Sequence, residues 1–89
     1  MKVKIWSMDN CSFCEQAIAA CEEVPTDFTG FEYEVVKLHT DFEPEDFSSH
    51  FPYAKTVPQI VVDGEHIGGW DDFRPIIEQY KSYFYGSMS

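Results

Sequence analysis

Two cysteines separated by two residues, Cys11-Ser12-Phe13-Cys14, follow a short apolar run, Val3-Lys4-Ile5-Trp6, and open a segment with helical spacing. A cysteine pair at the point where a strand turns into a helix is a recognised redox signature. The reason is electrostatic. With Cys11 at the helix start, its sulfur faces unpaired backbone N–H groups and the positive end of the helix dipole, which favour thiolate over thiol. Cys14 comes one turn later with its Cα about 5 Å away, inside the ~4.4–6.8 Å that a disulfide requires. One sulfur can attack and the other can resolve. The same residues can also be read as half of a zinc site or as two buried thiols.

Composition narrows that choice. The chain has 89 residues, 44% hydrophobic and 17% aromatic, which suits one small domain over 1–89 with a core of its own. No stretch approaches the ~20 apolar residues needed to cross a bilayer, and the N-terminus lacks a signal-peptide apolar region. The expectation is a cytoplasmic protein with no membrane partner, where a cysteine pair is more often catalytic or metal-binding than structural. A structural zinc normally takes four ligands. The other candidates, Cys21, His39, His50 and His66, form no second closely spaced pair, so no metal is expected. Sixteen acids against six bases give a net charge of −10, which argues against a nucleic-acid partner.

The hydrophobic pattern sets the element order. Lys2 to Trp6 reads as a central strand, with Val3, Ile5 and Ser7 on one side. Asp9 or Asn10 can cap the helix that follows, which runs from Ser12 to Glu23 and stops before Pro25. Cys14, Ala17, Ile18 and Cys21 form its core stripe, leaving Phe13 near the site mouth. Cys21 lies about 10.5 Å along the axis from Cys14, too far to bond, and reads as a small core residue.

Thr26 to Gly30 reads as a turn, and Phe31 to Leu38 as a second strand with Phe31, Tyr33 and Val35 on one face. A crossover that contains a helix makes the two strands parallel, with a right-handed connection. Pro44, with Phe47 and Phe51 four residues apart, suggests a short second helix. Gln59 to Val62 is an apolar strand, Asp63-Gly64 a hairpin turn, and His66-Ile67 the return strand, ended by Gly68-Gly69. A last helix carries Phe73, Ile76, Ile77, Tyr80 and Phe84 on one stripe, with the tail frayed from Gly86. Pro75 places its cap at Trp70, Asp71 or Asp72, since a proline is expected only where the N–H would be unpaired. The order β-α-β-α-β-β-α, with a four-stranded mixed sheet flanked by helices, is an α/β sandwich of the thioredoxin type.

Three motifs now stand in sequence: Cys11-Ser12-Phe13-Cys14, Thr56-Val57-Pro58 and Gly68-Gly69-Trp70-Asp71-Asp72. In this order and spacing, joined by Gln59-Ile60-Val61-Val62-Asp63-Gly64, the chain resembles a dithiol glutaredoxin of the short bacterial or phage type over nearly its whole length. The resemblance implies a cis bond before Pro58 and a motif that faces the nucleophile. Such a bond would turn the Val57 N–H and C=O outward, free to pair with an extended peptide such as glutathione. An isolated Val-Pro would otherwise read as a proline starting an edge strand.

The resemblance also implies glutathione contacts at Phe13, Lys55, Thr56, Val57, Pro58, Gly69, Trp70, Asp71 and Asp72. Asp72 would pair with the ammonium, Trp70–Asp71 backbone groups would hold the neighbouring carboxylate at a helix N-terminus, and Lys55 would meet the glycine carboxylate. Asp71 and Asp72 equally suit a capping role, and both roles can hold at once. Ser12 and Phe13 stand where many relatives have Pro and Tyr, and Met8 where several have a lysine. With Asp9 and Glu15 nearby, local charge gives the Cys11 thiolate no help, which leaves the helix terminus to supply it.

The activity implied is thiol–disulfide exchange on protein disulfides and glutathione mixed disulfides, by a monomer that uses glutathione as reducing co-substrate. Ribonucleotide reductase is a family-typical protein target. Two alternatives differ in class. Some relatives without the proline hold a 2Fe–2S cluster between two subunits, through the first cysteine and bound glutathione, and Ser12 leaves that reading open. A thioredoxin-like redoxin served by a flavoprotein reductase is the other, against which the Gly-Gly-Trp-Asp-Asp segment weighs.

Overall fold

The computed structural model of the chain describes residues 1–25, 28 and 30–86. Its elements are β1 (Lys2–Ser7), α1 (Ser12–Glu22), β2 (Glu32–Lys37), α2 (Pro44–His50), β3 (Gln59–Val62), β4 (Glu65–Gly68) and α3 (Trp70–Gly86). The sheet runs β2-β1-β3-β4, with β2 parallel to β1 and both β3 and β4 antiparallel to their neighbours. This is the expected mixed sheet in the expected chain order.

Alternation along β1 explains why both sheet faces are covered. Val3 and Ile5 point to one side and join Ile60, Val62, Ala17, Cys21, Phe73 and Ile77 in a core beneath α1 and α3. Trp6 points to the other and meets Phe42 and Phe51, with Phe47 packed against them. The Trp6 and Phe42 ring centroids are 4.7 Å apart, and those of Phe47 and Phe51 5.2 Å. Register follows this burial: Ile5 stands opposite Val35 on one side and Ile60 on the other.

Four expectations are revised. The cap of α1 is Cys11 itself, not Asp9 or Asn10, because Asn10 takes a positive φ of 57° and the Cys11 sulfur accepts the Cys14 N–H. Strand β2 is shorter than expected, omitting Phe31 and Leu38, and lies at the sheet edge with Tyr33 exposed. The first helix ends at Glu22. Helix α3 begins at Trp70, with the Phe73 N–H donating to the Gly69 carbonyl at 3.1 Å, so its cap is Gly69 and Pro75 lies inside it. Lacking an N–H, Pro75 cannot donate to the Asp71 carbonyl. Both residues are exposed, so water can take that place. The expectations for Thr26, Asp27 and Thr29, for the Phe84 side chain and for the tail beyond Gly86 lie outside the described residues.

Candidate active site

The three motifs meet at one end of the sheet. Strand β1 delivers Cys11 through the Met8–Asn10 turn, the segment before β3 delivers Thr56–Pro58, and the junction of β4 with α3 delivers Gly69–Asp72. Because β1 and β3 are hydrogen-bonded neighbours, the first two must come close. They do: the Cys11 Sγ donates to the Val57 carbonyl oxygen at 3.7 Å. The Val57–Pro58 bond is cis, as the resemblance implied.

The two sulfurs have different surroundings. Cys11 is partly exposed and accepts the Cys14 backbone N–H at 3.3 Å, one of the donors the helix start leaves without a partner. Cys14 is only 1% exposed. Burial first, and hydrogen bonding to Cys11 second, push the Cys14 thiol up to about 12. At neutral pH it therefore holds its proton until something nearby removes it. Cys21 is also free and buried, in the core beneath α1, and burial pushes its thiol up to about 12.

Eight of the nine expected contact residues line one cleft of about 220 Å³: Phe13, Thr56, Val57, Pro58, Gly69, Trp70, Asp71 and Asp72. Phe13 is 54% exposed at its mouth. Lys55 is not among them and lines a separate groove that shares Thr56 and Val57 with the cleft. Asp72 turns back on its own helix start, its Oδ2 accepting the Gly69 N–H at 3.3 Å, which is the capping role. The same carboxylate explains Gly68. Its φ is +130°, and a Cβ there would collide with the Asp72 carboxylate.

Sequence reasoning missed two supports. Lys37 Nζ lies 3.0 Å from the Asp9 carboxylate, so the acid two residues before Cys11 is paired. Gln59, a buried polar residue, donates from Nε2 to the Thr56 carbonyl at 2.9 Å and accepts through Oε1 from His66 Nε2 at 2.7 Å. With the amide assigned that way by its partners, the His66 hydrogen sits on Nε2. This chain of bonds ties β4 to the segment that faces Cys11. The Asp63-Gly64 hairpin signal held the clue, since it folds β4 back along β3 and brings His66 beside Gln59. Met8, at the position where several relatives carry a lysine, is 42% exposed and lines the same groove as Val57. Among the described residues, no group of three or more His, Cys, Asp or Glu side chains is placed to hold a metal ion. No helix there is long and apolar enough to cross a membrane.

A cysteine-capped helix, a buried second cysteine one turn on and a cis-proline segment against the first sulfur define a dithiol protein of thioredoxin-like fold. Comparison with known proteins narrows the class. The glutaredoxin family model matches residues 3–67. Glutaredoxin 1 of Escherichia coli is 30% identical over 81 residues, covering 89% of this chain and 95% of that protein. Glutaredoxin-C8 of rice is 32% identical over 80 residues, and there the chain spans 57% of the relative's length. The solved structure of reduced E. coli glutaredoxin superposes with a TM-score of 0.73 at 30% identity, covering 89% of this chain and 95% of that one. A buckwheat glutaredoxin–glutathione complex, at 20% identity and a TM-score of 0.67, shares the fold. The chain belongs to the glutaredoxin family.

Proposed function

We propose that this protein is a glutathione-dependent thiol–disulfide oxidoreductase that reduces protein disulfides and glutathione mixed disulfides through Cys11 and Cys14. The Cys11 sulfur attacks one sulfur of the target disulfide, the new S–S bond forms, and the other sulfur leaves as a thiolate that takes up a proton. Cys14 then attacks Cys11, closing the intramolecular disulfide and releasing the reduced target. Two glutathione molecules restore the dithiol and leave as glutathione disulfide, so electrons balance. Ribonucleotide reductase is a family-typical target whose disulfide this chemistry fits.

The observation that carries the reading is the contrast between the two sulfurs: Cys11 partly exposed at a helix start, Cys14 buried and protonated one turn on. The polar cleft beside Val57 supports the tripeptide as co-substrate. Its Asp72 carboxylate suits the ammonium, and the first turn of α3 suits the neighbouring carboxylate. Lys55 lines the neighbouring groove and not the cleft, so it is a contact only for a ligand that reaches beyond the cleft. A coupled assay tests the co-substrate. Turnover of a cysteine–glutathione mixed disulfide with glutathione as reductant is expected. Turnover supported only by a flavoprotein thioredoxin reductase would overturn it.

A further inference from the structure

Thr56, Val57 and Pro58 lie on the loop that joins α2 to β3, and one side chain of β4 touches both ends of that loop. At the start of the loop, Phe51 is buried with Trp6 and Phe42, and the His66 ring centroid stands 4.5 Å from that of Phe51. At its end, His66 Nε2 donates to Gln59 Oε1 at 2.7 Å, and Gln59 Nε2 donates to the Thr56 carbonyl at 2.9 Å. The sheet explains this reach. His66 pairs with Val61 across the hairpin, and Gln59 lies two residues before Val61 on the same face. Gln59 is therefore a diagonal cross-strand neighbour of His66, within range of two long side chains. Val61 packs against the Trp6 cluster, so this is the face that Phe51 also occupies.

The two ends of an amide have nearly the same shape and opposite hydrogen-bonding character. What faces the buried Gln59 amide therefore fixes its direction: the Thr56 carbonyl, an acceptor, on one side and the His66 ring N–H on the other. A side chain without an N–H at position 66 leaves Oε1 free to turn. A half-turn of the amide then sets oxygen against oxygen at Thr56. The next carbonyl along, that of Val57, is the one that meets the Cys11 sulfur, and both residues line the polar cleft. The direction of one amide thus bears on the shape of the site.

We propose that His66 is a positioning residue for the exchange at Cys11. Its ring rests on Phe51, its Nε2–H orients the Gln59 amide, and that amide holds the Thr56–Val57–Pro58 loop in the shape that receives the glutathione half of a mixed disulfide. The inference rests on the proposed exchange and adds a residue outside the lining of the cleft. Because His66 acts on the cleft and not on the sulfurs, its loss should weaken substrate binding and spare the chemical step.

Two variants separate the donor from the ring. His66→Phe keeps a ring against Phe51 and removes the N–H, whereas His66→Gln supplies an N–H near the place of Nε2 without the ring. With a cysteine–glutathione mixed disulfide as substrate, His66→Phe is expected to raise KM about fivefold and leave kcat within about twofold. His66→Gln is expected to bring KM back to within about twofold of the unaltered protein. Added to Gln59→Leu, His66→Phe should raise KM no further, since the amide it directs is gone. Nitrogen-15 NMR of the neutral His66 ring in the unaltered protein should place the hydrogen on Nε2. An unchanged KM in His66→Phe, an equal rise in His66→Phe and His66→Gln, a further rise in the double variant or a hydrogen on Nδ1 would each overturn the proposal and leave the exchange reading intact. Absence of turnover in the unaltered protein would instead sink the exchange reading, and the proposal with it.

Discussion

The Cys11 sulfur sits 3.7 Å from the Val57 carbonyl oxygen, donating to it while accepting the Cys14 N–H at 3.3 Å. Only the second bond survives when Cys11 loses its proton. The Val57 carbonyl then loses that donor, and under the proposed exchange it is free to accept from an incoming extended chain. Ionisation of the nucleophile and exposure of a backbone acceptor are thus one event, coupled through a single atom pair.

Asp72 has two separable tasks, holding the Gly69 N–H and presenting a negative charge to the cleft. Asp72→Asn keeps the acceptor and removes the charge. We expect KM for a glutathione mixed disulfide to rise about tenfold, with stability little changed. Asp72→Ala loses both and should also lower unfolding stability by roughly 0.5–2 kcal/mol. Steady-state kinetics and urea unfolding of the two variants check this. An Asp72→Asn protein with unaltered KM would remove the ammonium role.

The Gln59 amide is expected to act as a positioning group for the segment that faces Cys11. Gln59→Leu strands the Thr56 carbonyl and should destabilise the protein by about 1–3 kcal/mol. It should also raise KM more than it lowers kcat, because the cleft loses shape while both sulfurs stay in place. A Gln59→Leu protein that is less stable but has unchanged KM would reduce the residue to a structural one.

The two buried thiols predict an alkaline weakness. Each is held near 12 in the folded chain against an ordinary value of 9.0. A raised folded value means that the unfolded state loses the proton first, so stability is full below pH 9 and falls from there towards 12. The slope is about 1.4 kcal/mol per pH unit per thiol. Denaturant unfolding of the reduced protein at pH 7 and pH 10 should show this fall. Cys21→Ala should lessen it while lowering stability at neutral pH. An identical fall in Cys21→Ala would contradict the assignment.

Element order was legible in the residues because alternation in the strands and the stripes of the helices survive folding unchanged. The caps were not. Cysteine is no common cap, so the residue types point to Asp9 or Asn10, whereas the turn drives Asn10 to positive φ and leaves the cap to Cys11. The lost bond alone places Pro75 in the first turn of its helix, but exposure of Asp71 and Pro75, which no spacing shows, lets water answer the freed carbonyl and leaves the proline inside. At the site, the motifs came together because β1 and β3 pair directly. Lys55 lines the groove with Met8 and Phe47 instead of the cleft, although its neighbours Thr56 and Val57 line both, so position next to the motif did not decide which depression it meets. The Lys37–Asp9 pair joins positions far apart in the chain, which no spacing rule reveals.

The division of labour between the two cysteines is tested most directly by assaying Cys11→Ser and Cys14→Ser on two substrates, a glutathione mixed disulfide and a protein disulfide. Cys11→Ser is predicted to be inactive on both. Cys14→Ser is predicted to keep cleaving the mixed disulfide, with the glutathione taken up on Cys11 removed by a second glutathione as glutathione disulfide, and to lose reduction of the protein disulfide. Protein-disulfide reduction that persists in both variants would contradict the account.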